Sequence, residues 1–138
     1  MNCVFTWFVW CEALLLSLLP WTLTEAPPMI PIAIMVKNTL QNKPLQTYKT
    51  EVISGGILLG AMKRLRDSDA GFTFTYSDNV NYGPYLESVN GVTGNNEAHT
   101  YWELLANVTN GGFQSTEVGI GCIIPSPYQQ IILNFTVW

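Results

Sequence analysis

Apolar and polar positions in this chain fall into short blocks, set off by proline, glycine and asparagine. Ile30 to Val36 alternates weakly and stays apolar throughout, which predicts a strand buried on both faces. Asn42-Lys43-Pro44 reads as a turn. Leu45 to Ile53, with Thr47, Tyr48, Thr50, Val52 and Ile53, reads as a second strand that pairs back as a hairpin. A helix follows, because Ile57, Leu58, Ala61, Met62 and Leu65 form one stripe at helical spacing. Ser54 is its expected cap. Lys63, Arg64 and Arg66 occupy the opposite face and last turn, where they favour the helix dipole, and Asp67 to Gly71 ends it.

Beyond the helix the period returns to two. Phe72 to Tyr76 alternates strictly, Ser77 to Gly83 is a polar loop, and Tyr85 to Asn90 is a short strand closed by Asn90-Gly91. After a turn at Gly94 to Glu97, Thr100 to Val108 fits a strand or a short helix. Val118 to Ile124 and Gln130 to Trp138 predict two more strands, separated by Pro125-Ser126-Pro127. The fold class expected is α+β: a β-grasp-like small domain of mostly antiparallel strands wrapped on one helix.

The first 26 residues stand apart from this pattern. Val4 to Leu19 is almost wholly apolar, but shorter than the roughly 20 residues a membrane-spanning helix needs. Pro20 breaks the run and Ala26 supplies a small residue at its end, so residues 1–26 are read as a secretory signal peptide. The leader is irregular in having Glu12 inside the apolar run and no Lys or Arg before it. The remaining domain, 27–138, keeps one of the three cysteines, Cys122, expected as a buried strand residue without an internal disulfide. It is expected to be secreted and extracellular, with no membrane span once the leader is removed. Two glycosylation sequons support that reading, one at Asn107 beside a glycine-rich loop and one at Asn134 in the apolar terminal run.

Charge narrows the function further. The 138-residue chain carries a formal charge of −4. Every Lys and Arg lies between Lys37 and Arg66, and from Asp67 onward there are only acids. A nucleic-acid partner is therefore not expected, since nothing in the second half neutralises phosphates. Enzyme signatures are also missing. His99 is the only histidine, no metal-binding cysteine or histidine spacing is present, and Gly55-Gly56 lacks the rest of a phosphate loop. No catalytic residue is assigned and no metal is expected to be bound directly. What stands out is a set of aromatics at strand ends and in loops: Tyr76, Tyr82, Tyr85, Tyr101, Trp102 and Phe113. They fit either core packing or a platform for a large flat ligand or a protein partner.

Three blocks carry a family likeness: Tyr82-Gly83-Pro84-Tyr85-Leu86-Glu87-Ser88-Val89-Asn90-Gly91, Thr100-Tyr101-Trp102-Glu103-Leu104-Leu105, and Gly119-Ile120. Together with the tail Asn134-Phe135-Thr136-Val137-Trp138, they resemble the C-terminal domain of the transcobalamin and gastric intrinsic factor family of cobalamin carriers. The resemblance implies a non-enzymatic module that contributes to cobalamin binding and transport by closing over one face of the corrin ring. It implies contacts from Tyr85 and Leu86 after the Gly-Pro turn, from Leu104 two places after the tryptophan, and from the segment Phe113 to Thr116. Carriers of this family also have a large helical-barrel domain. The partners expected are thus cobalamin, with either a separate helical-barrel domain or a cell-surface receptor. An extracellular interaction domain that keeps the fold without the vitamin is the alternative.

Overall fold

The computed structural model describes residues 27–81 and 83–138; the expected signal peptide and Tyr82 lie outside the described residues. Strand β1 (Met29–Asn38) directs Ile32, Ile34 and Val36 into the core, while Ala33 and Met35 between them are only half-buried. The expectation of burial on both faces is corrected, because the helix covers only one side of the sheet. β2 (Lys43–Ile53) returns antiparallel to β1 with Ile34 opposite Tyr48. Helix α1 (Leu58–Asp67) buries Leu58, Leu59, Ala61, Met62 and Leu65, nearly the stripe that its spacing predicts.

Ser54 does not cap that helix. Ile57 is the N-cap residue and makes no side-chain cap bond. Instead, the Leu58 and Leu59 N–H groups donate to the carbonyls of Ile123 (2.8 Å) and Ile120 (3.0 Å). This backbone capping satisfies two of the donors that every helix start leaves open. It also explains a second correction: Val118 to Ile124 is not a strand but an irregular, turn-rich segment folded over the helix start.

β3 (Phe74–Asn79), β4 (Gly83–Val89) and β5 (Val92–Thr93) form a three-stranded antiparallel sheet. β3 starts two residues later than the alternation suggests and runs into the expected polar loop, although Phe72 is still buried. Asn90 and Gly91 both adopt positive φ (50° and 83°), the conformation a two-residue hairpin turn requires. β6 (Thr100–Asn107), β7 (Phe113–Ser115) and β8 (Gln130–Val137) join the first hairpin in a five-stranded sheet of order β2-β1-β8-β6-β7. Within it only the β1–β8 pair is parallel.

The result is an α+β fold of mostly strands with one helix among the described residues. Ile34, Ile131 and Leu133 from the large sheet meet Met62 and Leu65 of α1 and Phe72, Leu86 and Val89 around the small sheet in a single core cluster. Cys122 is part-buried in a turn, rather than a buried residue in a strand. Among the described residues no helix is long and apolar enough to cross a membrane.

Candidate functional site

The site begins with a proline laid against two glycines. Gly83 takes a positive φ of 75°, which brings Pro84 against the segment Gly119-Ile120-Gly121. A Cβ on Gly121 would stand 2.8 Å from Pro84 Cδ, and one on Gly119 would stand 3.0 Å from the Pro84 carbonyl oxygen. Only glycine permits that approach. Ile120 between them is fully buried and holds the helix start through its carbonyl. The small sheet and the helix are therefore fastened to the same short turn.

The opposite wall is β6. The Thr116 N–H donates to the Leu104 carbonyl (2.9 Å), and its hydroxyl donates to the Val118 carbonyl (2.9 Å). Trp102 lies on the core side of β6, its ring centroid 5.0 Å from that of Phe135, and its indole N–H donates to the Val92 carbonyl (2.8 Å). Between β4, β6 and the 115–120 segment is a cleft of about 180 Å³, lined among others by Pro84, Tyr85, Leu86, Leu104, Thr116 and Ile120. Tyr85, Leu86, Tyr101 and Trp102 also line an adjoining recess of about 310 Å³, which reaches Ser77, Glu87 and Asn96. At its mouth Tyr85, Asn96, Tyr101 and Trp138 surround a further shallow hollow.

Of the five residues the resemblance assigns to the ligand, four come together here from three separate segments: Tyr85, Leu86, Leu104 and Thr116. They are not equivalent. Tyr85 is 53% exposed, whereas Leu86 is only 5% exposed and belongs to the core, so it forms the floor. Phe113 does not line the cleft. It sits on β7 opposite Asn107, at the far end of the β6–β7 pair. Among the other aromatics, Trp102 is core and Tyr76 is half-buried, stacked on Phe74 under the Lys63 ammonium.

Two further rim residues are Tyr101, one of the aromatics that stand out in the sequence, and Trp138, which the sequence did not single out. They are brought together because β6 pairs with β8, which places Tyr101 opposite Thr136 and leaves Trp138 edge-on to both Tyr101 (5.8 Å) and His99 (5.2 Å). No local pattern carries that pairing; its one sequence signal is the YW pair itself. His99 is exposed and points to the Trp138 ring, lining none of these hollows.

Electrostatically the cleft is acidic and lacks cations. Glu103 lines the cleft and Glu87 the recess, and no Lys or Arg lines either. The Tyr101 phenol is held above its ordinary value, chiefly by burial, then by the Glu103 charge and hydrogen bond and by Tyr85. Among the described residues no three His, Cys, Asp or Glu side chains are grouped to hold a metal ion. The lining combines apolar side chains with backbone groups, which suits contact with a partly apolar surface.

No protein-family model matches the chain. Among curated proteins it is 29% identical over 127 residues to the cobalamin binding intrinsic factor of Rattus norvegicus, covering 85% of this chain and 29% of that protein. It is 29% identical over 85 residues to transcobalamin-1 of Homo sapiens, covering 61% of this chain and 19% of that protein. The chain thus spans about 29% of the length of the intrinsic factor it matches. Among solved structures, haptocorrin in complex with Cbi superposes with a TM-score of 0.68 at 20% identity, over 84% of this chain and 27% of that one. A putative metal binding protein from Ruminococcus gnavus superposes with a TM-score of 0.55 at 12% identity, over 79% of this chain and 98% of that one. Both superpositions concern the fold alone. In sequence, the chain resembles the transcobalamin and gastric intrinsic factor family of cobalamin carriers.

Proposed function

We propose that this chain is a secreted, non-enzymatic module that binds cobalamin by seating one face of the corrin ring in the cleft between β4 and β6. The observation that carries the reading is the convergence of Tyr85, Leu86, Leu104 and Thr116 on that cleft from three separate segments. Tyr85 lies against the flat ligand, Leu104 and the Leu86 floor supply apolar surface, and Thr116 fixes the loop at the far wall. Tyr101 and Trp138 extend the rim. Carriage of the vitamin then involves a helical-barrel domain on its other face and a receptor at the cell surface. The hairpin, crossing helix and parallel return strand are read as β-grasp-like.

The size of the cleft sets the expected strength. About 180 Å³ is small beside the 300–1,000 Å³ of typical enclosed ligand sites, so most of a corrin stays in water. Association must also offset several kcal/mol of lost translational and rotational freedom. A dissociation constant of about 0.1–1 mM is the expectation for this chain by itself, equivalent to about 4–5.5 kcal/mol.

Titration of the full chain with cobalamin, followed in the corrin absorption bands, tests this directly. A saturable change in that range supports the reading. Absence of any change at millimolar vitamin, with and without a carrier's helical domain, overturns it.

A further inference from the structure

The residue that leaves the proposed ligand site points to a different attachment. Phe113 is 39% exposed on β7 and lies directly opposite Asn107, the first residue of the sequon Asn107-Val108-Thr109. The neighbouring bonds fix the type of pairing. Val108 N–H donates to the Gly112 carbonyl and Thr116 N–H to the Leu104 carbonyl. Asn107 and Phe113 therefore form a non-hydrogen-bonded pair, in which the Cα atoms stand about 4.5 Å apart and the side chains share one face. The Asn107 amide is already oriented, because its Oδ1 accepts from the Gln130 N–H (2.9 Å) and its Nδ2 has no bond to any described residue.

We infer that Asn107 carries an N-linked sugar whose first N-acetylglucosamine packs on the exposed Phe113 ring across the β6–β7 pair. The donor is a lipid-pyrophosphate-linked oligosaccharide. The bond from its anomeric carbon to the pyrophosphate oxygen breaks, a bond to Asn107 Nδ2 forms, and the amide gives up one of its two hydrogens as a proton. The other sequon lacks this support. Asn134 lies in the middle of β8, between Glu103 and Lys37 in register, and its Nδ2 donates to Glu103 Oε1 (3.2 Å). The inference rests on passage through the secretory pathway but not on cobalamin binding, so vitamin titration and sugar analysis fail independently.

The test expresses the full chain in mammalian cells held at the high-mannose stage. Peptide mapping should show Asn107 modified; an unmodified Asn107, wherever the chain accumulates, overturns the proposal. The sugar is then trimmed to one N-acetylglucosamine and the melting temperature compared with that of Asn107→Gln, both in the natural background and with Phe113→Ala. Trimmed glycoprotein should melt about 2–6 °C higher in the natural background, the range of one aromatic stacking contact, and the gain should vanish with Phe113→Ala. The double comparison cancels the lost Gln130 bond, which is common to both backgrounds. An equal gain in both backgrounds, or none in either, overturns the packing.

Discussion

Replacing Tyr85 with alanine separates ligand contact from fold, because Tyr85 is the cleft residue that combines central position with exposure. Its side chain is 53% exposed without ligand. An aromatic side chain buries about 150–250 Å² when covered, so a corrin laid over Tyr85 removes about 80–130 Å² more from water. At about 25 cal/mol per Å², that is about 2–3 kcal/mol, or a loss of about 30–150-fold in affinity on truncation. Stability should change little, since the half of the ring already covered lies at the rim. Leu86→Ala is the opposing control: at 5% exposure it belongs to the core, and emptying such a site costs about 2–5 kcal/mol. For a domain of this size that lowers the melting temperature by about 8–20 °C. The assay is corrin absorbance titration paired with thermal denaturation by circular dichroism. Unchanged cobalamin affinity in Tyr85→Ala would refute the placement of the ligand. A collapse in its melting temperature would show that the ring supports the fold.

Three further outcomes follow from the same geometry. Gly121→Ala drives a methyl group to within 2.8 Å of the rigid Pro84 ring, so it should cost about 1–3 kcal/mol and weaken binding by separating the cleft walls, read by denaturant midpoint and titration together. Trp102→Phe removes the indole bond to the Val92 carbonyl and part of a buried ring, and should cost about 1–3 kcal/mol in urea unfolding, with little effect expected from Trp138→Phe at 60% exposure. Tyr101 binds its proton more tightly in the folded chain than in the unfolded one, so its contribution to stability is complete below pH 10 and is lost as pH rises through the higher folded value. Glu103→Gln should move the Tyr101 titration, followed by phenolate absorbance, back toward the ordinary value and narrow that alkaline loss.

Where structure depends on neighbours along the chain, the sequence was readable. The stripe from Leu58 to Leu65 and the Asn90-Gly91 turn appear where periodicity and turn chemistry put them, because both are settled within a few residues. The segment Val118 to Ile124 misled, although its signals were present. Its isoleucines suggest a strand, but Gly119, Gly121 and Pro125 interrupt it, and its carbonyls are taken by a helix more than 50 residues earlier in the chain. The same reason hid Trp138 as a neighbour of Tyr101. Their meeting depends on the β6–β8 register, a pairing over about 35 residues that no local pattern encodes. Tyr85, Leu86 and Leu104 were named through family resemblance; for Tyr85 and the other aromatics, sequence alone left platform and core evenly balanced. The structure divides that choice residue by residue, with Tyr85 outside and Leu86 within the core.

That division bears on how ligand and fold are coupled. The cleft lies where the small sheet meets β6, and its floor, Leu86, belongs to the same core cluster as Met62 and Leu133. A corrin seated there touches both sheets and bridges them. It binds the assembled pair and not the separated one, so it must stabilise the joint by RT ln(1 + [L]/Kd). With a dissociation constant of about 0.1–1 mM, 1 mM vitamin adds only about 0.4–1.4 kcal/mol, a rise of a few degrees at most. The Trp102 indole bond to Val92, which joins the two sheets, and the packing of Pro84 on Gly119 and Gly121 must therefore hold the cleft walls in place before any ligand arrives, so the two glycines matter as much to the proposed site as the side chains that line it.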